Sequence, residues 1–438
     1  MPEEHKLIWE LSLTNGAIDI WKLRYYLSLF FYRWISETEK YYSFWETRSE
    51  DYLFHKVIQE IQYNPDKAAE ILDKSLKGLD SDLFYGVDLD NTKLGVNENE
   101  RNKKVIETID LVYRLNEINF AELYDELMDL YSYYGIQGEN YTPKTISNLL
   151  IKLLLVNVED IQEIYDPASA SGYLLTRLLN VFQEQKIYVY AHELNRDTLG
   201  IFKMAVIWLG AQLNDAYLAG SSPKQINKKF KGIISNPYSL NNHPAFNKNQ
   251  PTISSQFNLA FIYKCLLHLE PTNTSTLIIT FPESILSSNK GEANKIKKYL
   301  IEKNLIDCVI KLPKNCFYGR EKTKCIFIIK TNREKKKILF IDASGQVIKV
   351  NSQYLLSEEN IDWIVNKYKE TTEIEHISKL IPLEEIIKNQ NNLSLDLYIA
   401  PTKKPKSKII FEPITNISPF DEPVAIDKKR KNEAKNEK

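Results

Sequence analysis

Three short segments of the chain combine residue types that suit a nucleoside ligand and a planar amine. The first, Asp166 to Gly172 (DPASASG), follows a short apolar run and precedes a helical stretch. Small residues there let the backbone approach a ligand, and the amides at a helix N-terminus face it. An ordinary tight turn between a strand and a helix has the same pattern, so this loop alone does not decide the function.

The second segment is the acidic end of the next apolar run, at Glu193. A carboxylate in this position can accept two hydrogen bonds from a ribose diol, as it does in dinucleotide-binding folds. A solvated strand end is the competing interpretation. The predicted cofactor-binding residues of the first two segments are Asp166, Ala168, Ser171, Gly172 and Glu193.

The third segment, Ser235 to Ser239 (SNPYS), directly follows the apolar run that begins at Gly232. The side-chain oxygen of Asn236 and a neighbouring backbone carbonyl can accept both hydrogens of an exocyclic amine, while the ring of Tyr238 stacks on the base. Methyl transfer to such an amine depends on positioning more than on acid–base chemistry, so no catalytic triad is expected. The predicted catalytic residues are Asn236, Pro237 and Tyr238.

The elements that position these segments alternate between helical stretches and short apolar runs after Gly138. Such alternation predicts a doubly wound α/β sheet with its ligand at the carboxyl ends of the strands. The predicted strands are Ile164–Asp166, Ile187–Glu193, Gly232–Asn236, Leu277–Phe281, Ile306–Leu312, Cys325–Lys330 and Lys337–Asp342. The predicted helices are Lys144–Val156, Tyr173–Glu184, Asp197–Leu213, Gln256–Leu269 and Ala293–Lys303.

The chain is predicted to consist of three parts. Residues 1–135 show apolar residues at helical spacing and few β-branched runs, which predicts a helical N-terminal domain. Residues 136–400 form the predicted α/β catalytic domain. Residues 401–438 are rich in proline and lysine, and we expect this tail to be disordered or ordered only by a partner.

Composition limits the function classes that fit the chain. The 438 residues exceed one ordinary domain, and the formal net charge of −1 gives no global attraction to nucleic acid. DNA binding must therefore rest on a local groove or on a partner. The four cysteines do not have the spacing of a zinc or redox site. We therefore expect reduced thiols and no metal site. With no export signal or membrane span, we expect a cytoplasmic protein.

Motifs along most of the chain resemble the modification (M) subunit of type I restriction–modification systems, whose motif order is that of the gamma class of amino-methyltransferases. Residues 138–143 are similar to the family's G-E-F-Y-T-P, and Asp166 to Leu175 to its D-P-A-C-G-S-G-x-x-L. Residues 193–210 and 305–319 follow further family patterns, and the likeness covers roughly residues 5 to 400.

The resemblance implies a Rossmann-like methyltransferase fold with a mostly parallel, seven-stranded sheet, preceded by an all-α domain. It implies transfer of a methyl group from S-adenosylmethionine to adenine N6 in DNA. The implied partners are a specificity (S) subunit, a second M-type subunit and, as an option, a restriction (R) subunit. It also adds four residues to the predicted cofactor contacts: Tyr141, Thr142, Pro143 and Ser221.

At three places the chain departs from the family pattern. Ala170 replaces a glycine whose backbone is expected to need positive φ or a close approach to the ligand, and Ser221 replaces an acidic residue. The catalytic loop reads Asn236-Pro237-Tyr238 where the family has N-P-P-Y or N-P-P-F. Two functions therefore stay open: a working DNA adenine-N6 methyltransferase, and a catalytically impaired M-like protein that acts as a scaffold or regulatory subunit. Methylation of RNA or of protein glutamine is a third, less favoured alternative.

Overall fold

The structure is a computed structural model that describes most of the chain. The described residues are 3–14, 17–37, 52–81, 83–84, 86–90, 92–115, 120–134, 142–159, 161–182, 187–193, 196–209, 212–218, 228–237, 253–317, 323–350 and 353–400. Tyr141, Ser221, Tyr238 and the predicted 401–438 tail lie outside the described residues.

The first part of the chain is helical, as predicted. Its helices are α1 (Glu3–Leu11), α2 (Ile20–Glu37), α3 (Phe54–Tyr63), α4 (Ala68–Asp80), α5 (Glu98–Arg114) and α6 (Phe120–Tyr134). Their apolar faces share one hydrophobic cluster that includes Phe31, Leu72 and Leu127. A short antiparallel ladder of β1 (Leu13–Thr14) and β2 (Ala17–Ile18), which was not predicted, connects α1 and α2. The domain boundary near residue 135 stays a prediction.

A mostly parallel sheet follows, with nine strands in the described residues rather than the expected seven. Its order is β13-β10-β8-β9-β7-β6-β3-β4-β5. The strands are β3 (Glu163–Asp166), β4 (Tyr188–Glu193), β5 (Gln212–Leu218), β6 (Gly232–Ser235), β7 (Thr276–Pro282), β8 (Ile306–Lys311), β9 (Lys324–Lys330), β10 (Lys337–Asp342) and β13 (Ser378–Pro382). Only β9 and β13 run antiparallel to their neighbours in this sheet.

The two strands absent from the prediction, β5 and β13, are the edges of the sheet. A strand buried on both faces needs a continuous apolar run, whereas an edge strand tolerates polar residues. Gln212, Asn214 and Asp215 interrupt the apolar pattern of β5. The helix predicted over 197–213 therefore included the first two residues of this strand, whereas the observed helix ends at Trp208.

Helices cover both faces of the sheet, which confirms the doubly wound prediction. They are α7 (Lys144–Asn157), α8 (Tyr173–Val181), α9 (Arg196–Trp208), α10 (Ile253–His268), α11 (Ser284–Ser287), α12 (Gly291–Glu302), α13 (Glu358–Glu370) and α14 (Leu383–Lys388). A small separate ladder pairs β11 (Ile348–Val350) with β12 (Gln353–Leu355). Successive strand residues face opposite sides: Ile164 joins the cluster under α7 to α9, while Tyr165 joins the cluster under α10 and α12.

Strand order creates a crevice at the carboxyl ends of β3 and β6. From β3 the chain builds β4 and β5 to one side, and then crosses back to build β6 and β7 on the other side. Such a reversal is where open α/β sheets bind their ligands. Asp166 ends β3 and Asn236 directly follows β6, so two predicted site residues border this crevice.

The helical first part is held against the sheet through α9. Arg24 of α2 is almost completely buried and pairs with Asp197 of α9, with Nη1 and Oδ1 2.9 Å apart. Ile201 and Met204 of α9 belong to the same hydrophobic cluster as the N-terminal helices. Among the described residues, none of the helices has the length and apolar character needed to cross a membrane. The four cysteines are free and buried, as expected for reduced thiols.

Candidate functional site

The loop after β3 is fixed by hydrogen bonds to both neighbouring strands. The amide of Ala168 donates to Asp166 Oδ1 at 2.9 Å, which tightens the turn. The amide of Ser169 donates to the carbonyl of His192 on β4 at 2.9 Å, and its hydroxyl donates to the same carbonyl at 3.2 Å. The loop is therefore held between the ends of β3 and β4, where a ligand reaches both strands.

Ala170 has a φ of +51°, in the left-handed region. The family glycine at this position predicted either positive φ or a close approach to the ligand, and the structure shows positive φ. The methyl group of Ala170 packs against the hydrophobic cluster of the N-terminal helices. The loop thus keeps the backbone shape that glycine favours, at a conformational cost of about 1 kcal/mol.

Gly172 brings the loop into close contact with α9. Its φ is +77°, and a Cβ built on it would lie 1.8 Å from Cδ2 of Phe202. Any larger residue would push α9 away from the loop. Gly172 is also the N-cap of α8 and has no side chain to satisfy the first amides of that helix. Those amides are the anion-facing groups that the sequence predicted at this position.

Asp166 is the last residue of β3, at the point where the strand order reverses, and is buried. Burial, with a smaller contribution from the negative charge of Glu193 on β4, raises the pKa of the Asp166 carboxyl to about 7. Hydrogen bonds from the Ala168 amide and from the Ser235 hydroxyl, at 2.7 Å, only partly offset this effect. A buried carboxyl that titrates near neutrality is typical of a ligand-binding site.

Asn236 is buried at the end of β6, and its side-chain amide has three polar neighbours. Its Nδ2 donates to the hydroxyl of Thr142 at 3.0 Å. Its Oδ1 accepts a hydrogen bond from the hydroxyl of Thr280 and a second one from Nζ of Lys324, at 2.7 Å. The two donors fix the orientation of the amide because a rotated amide would turn its NH₂ group toward an ammonium.

The structure places most of the predicted site residues at the carboxyl ends of the strands. Asp166, Ala168, Gly172 and Glu193 surround the loop after β3. Thr142, predicted as a cofactor contact, lies against the predicted catalytic Asn236. Pro143 precedes α7 as its N-cap, and Pro237 follows Asn236 as a half-buried residue.

Ser171 is buried, and its carbonyl accepts a hydrogen bond from the Tyr124 hydroxyl at 3.0 Å. Its own hydroxyl has no hydrogen-bond partner among the described residues. An orphaned buried hydroxyl costs free energy unless a ligand or a water satisfies it. This hydroxyl therefore supports a ligand at the loop.

Among the residues that contact the site without having been predicted are Ser235, Thr280 and Lys324. Each is a polar residue within or at the end of an otherwise apolar strand. That interruption was the available signal, since a central strand accepts a polar side chain only where it finds a partner. What the sequence did not indicate is which partner each one would meet.

The sequence matches the family model described as N-6 DNA Methylase over residues 116–407. The chain belongs to this family. It is 26% identical to the Type I restriction enzyme MpnII methylase subunit of Mycoplasma pneumoniae, with 90% of this chain and 88% of that protein covered. It is 30% identical to the MjaVII methylase subunit of Methanocaldococcus jannaschii over 70% of this chain and 58% of that protein.

The fold is shared with a solved methyltransferase subunit of a type I restriction-modification system from Streptococcus thermophilus. That structure matches with a TM-score of 0.71 at 22% identity, covering 90% of this chain and 99% of the other. The predicted resemblance to type I M subunits and the predicted methyltransferase fold are thus confirmed. Family and fold together imply the use of S-adenosylmethionine.

The residues present fit this cofactor. The loop offers the orphaned hydroxyl of Ser171 and the uncapped start of α8, and Glu193 stands at the end of the adjacent strand. These groups match the polar ends of the cofactor, which carries an amino acid moiety and a ribose diol.

Proposed function

We propose that this chain transfers a methyl group from S-adenosylmethionine to the N6 amine of adenine in DNA, as the modification subunit of a complex with a specificity subunit. The observation that carries the proposal is the buried, oriented amide of Asn236 at the switch point of the sheet. It lies beside the loop and the carboxylate that suit the cofactor.

The cofactor side of the site consists of the loop after β3 and the end of β4. Glu193 accepts hydrogen bonds from the ribose hydroxyls, while Ser171 and the first amides of α8 hold the amino acid moiety. When bound, S-adenosylmethionine supplies a methyl group that is electrophilic because its sulfur is a sulfonium. The pKa of Asp166, which burial raises to about 7, is lowered by the positive charges of that ligand.

The substrate side of the site is Asn236 with Pro237. The Asn236 side-chain oxygen and the Pro237 carbonyl accept the two hydrogens of the amine, so that the nitrogen lone pair points at the methyl group. Thr142 and Thr280 hold the Asn236 amide in the orientation this requires. Catalysis then comes from positioning and fixed dipoles. A target adenine must leave the duplex to reach this depth.

Partner subunits supply the DNA affinity in this proposal. The net charge of −1 provides no general attraction to phosphates. Proteins similar to this chain are named as methylase subunits of type I restriction enzymes. We therefore place the chain in an assembly in which a specificity subunit reads the sequence, with a second M-type subunit and, in the restricting form, a restriction subunit.

The test is methyl transfer by the reconstituted complex. The chain and its specificity partner are expressed in a host that lacks adenine methylation, and the host DNA is sequenced for N6-methyladenine. We expect methylation at one sequence motif. Asn236→Ala should abolish it, with a loss of roughly 100-fold or more, since misplacement alone reaches this size.

The matched control is Asn366→Ala, which removes an exposed asparagine of α13. It should leave methylation unchanged. An intact complex that binds DNA but leaves all adenines unmodified would refute the proposed activity. Equal methylation by the Asn236→Ala variant would refute the proposed site.

A further inference from the structure

Lys324 is a lysine in the substrate side of the site. It is the first residue of β9 and is only 9% exposed. Its Nζ lies 2.7 Å from Oδ1 of Asn236 and 4.4 Å from the centroid of the Phe317 ring. The ammonium thus makes a charge-assisted hydrogen bond and a cation–π contact at the same time.

The acceptor oxygen of Asn236 is fully used in this arrangement. An amide oxygen has two lone pairs, and Thr280 and Lys324 each donate to it. A substrate amine can donate to this oxygen only if one of the two donors leaves. Thr280 has a short side chain on the central strand β7, whereas lysine has a four-carbon stem that rotates readily. Lys324 is the donor that can leave.

The Lys324 ammonium makes the contacts that a planar base with an exocyclic amine would make. The amine of such a base would donate to Asn236, and its ring system would lie beside an aromatic face. We propose that Lys324 is an internal competitor of the substrate, whose ammonium occupies the position of the amine until an amine-bearing base displaces it. The inference rests on the proposed function and deepens it. It adds to the site a residue that sets how tightly an amine-bearing base binds.

A purely structural role for Lys324 predicts the opposite response to substitution. If the lysine only oriented Asn236, its loss would weaken substrate binding. Loss of a positive charge near a DNA strand also weakens binding in general. A gain of affinity on removing Lys324, confined to a base that carries an amine, is therefore expected only from competition.

The experiment measures binding of two single-stranded oligonucleotides by fluorescence anisotropy. One contains only deoxyadenosine, and the other contains deoxynebularine, the same purine with hydrogen in place of the amine. We expect Lys324→Met to bind the adenine strand about tenfold more tightly than the native chain, the size of one released hydrogen bond to a charged group. Binding of the nebularine strand should not become tighter.

The matched control is Lys330→Met at the opposite end of the same strand, where Nζ lies 3.6 Å from Asp307 Oδ2 and 5.9 Å from the ring centroid of Tyr368. It should show no tenfold gain with either strand. Circular dichroism and thermal melting confirm folding of both variants. Should Lys324→Met not fold, Lys324→Leu, which also lacks both the charge and a hydrogen-bond donor, replaces it in the same assay.

Three results would overturn the competition: unchanged or weaker binding of the adenine strand, equal tightening of both strands, or no binding of either strand to any variant. The methylation assay separates this inference from the proposed function. If the native complex leaves DNA unmethylated while Lys324→Met gains affinity for the adenine strand alone, the activity proposal fails and the competition stands. If the complex methylates DNA and the gain is absent, only the competition fails.

Discussion

At the scale of single residues, Asp166 shows how burial prepares a group for its ligand. Its carboxyl is fully buried between two hydrogen-bond donors and a second carboxylate, and its pKa is raised from 3.8 to about 7. A carboxyl with a raised pKa favours the folded state most when it is protonated. Its contribution to stability is therefore complete below pH 3.8 and is lost as pH rises through about 7.

This shift predicts a pH-dependent stability that Asp166→Asn removes. Between pH 5 and pH 8 the native chain should lose up to about 3 kcal/mol more unfolding free energy than the Asp166→Asn variant, because about two pKa units of the shift, from pH 5 to about 7, lie in this range at about 1.4 kcal/mol each. Urea unfolding of both proteins at the two pH values measures the difference. Parallel pH profiles would show that Asp166 is already ionised in the folded chain.

Prediction from the sequence succeeded for single residues where it concerned the local backbone conformation. Ala170 was identified as a position that needs positive φ or a close approach to the ligand, and its φ is +51°. The partners of Asn236 were not predicted. Thr142, which was predicted to contact the cofactor, accepts a hydrogen bond from Asn236, and this contact depends on how α7 approaches β6.

At the scale of secondary-structure elements, α9 connects the two halves of the molecule. On one side it contacts the cofactor loop through Phe202 and Gly172, and on the other it pairs with α2 through Asp197 and Arg24. Burial lowers the pKa of Arg24, but the carboxylate of Asp197 counteracts this and compensates the charge. The ion pair and the contact with the loop after β3 therefore lie on the same helix.

Removing the carboxylate of this ion pair should be costly. Asp197→Ala leaves the Arg24 guanidinium buried without its charge partner, and we expect a loss of about 3 kcal/mol of unfolding free energy. The exposed pair of Lys77 and Asp73 on α4 is the control, and Asp73→Ala should cost less than about 0.5 kcal/mol. Denaturant unfolding measures both, and equal small losses would mean that Arg24 finds sufficient compensation elsewhere.

At the scale of the whole molecule, the net charge bears on which protein of the proposed complex binds DNA. The basic and acidic residues nearly cancel, with 57 Lys and Arg against 58 Asp and Glu. Net charge of this size gives no long-range attraction to a duplex. In the proposed function the site at Asn236 selects an amine, and groove contacts from another chain read the sequence around the target.

The chain alone should therefore bind duplex DNA weakly and without sequence preference. We expect a dissociation constant of roughly 1–100 µM at physiological salt, the range of non-specific binding. With its specificity partner, affinity for the methylated motif should tighten by roughly 1,000-fold or more over unrelated DNA. Anisotropy titrations with duplexes that contain or lack the motif test this. Tight, motif-specific binding by the isolated chain would contradict it.

The sequence by itself determined which segments carry the chemistry and which runs form the central strands. Central strands are buried on both faces, so their continuous apolar runs are visible locally, as in Leu277–Phe281 and Cys325–Lys330. Small residues, a strand-terminal acid and an Asn-Pro turn are likewise local patterns. Together they indicated the cofactor loop and Asn236.

Only the tertiary structure decided how the site is completed. Thr142 is 94 residues from Asn236 along the chain and Lys324 is 88 residues away, yet both contact its amide. The approach of Lys324 follows from the strand order, in which β6 lies beside β7 and β7 beside β9, whereas that of Thr142 follows from the packing of α7 against β6. Strand order is set by packing of the whole sheet and its helices, which no local pattern encodes. For the same reason the polar edge strands β5 and β13 became recognisable only in the folded chain.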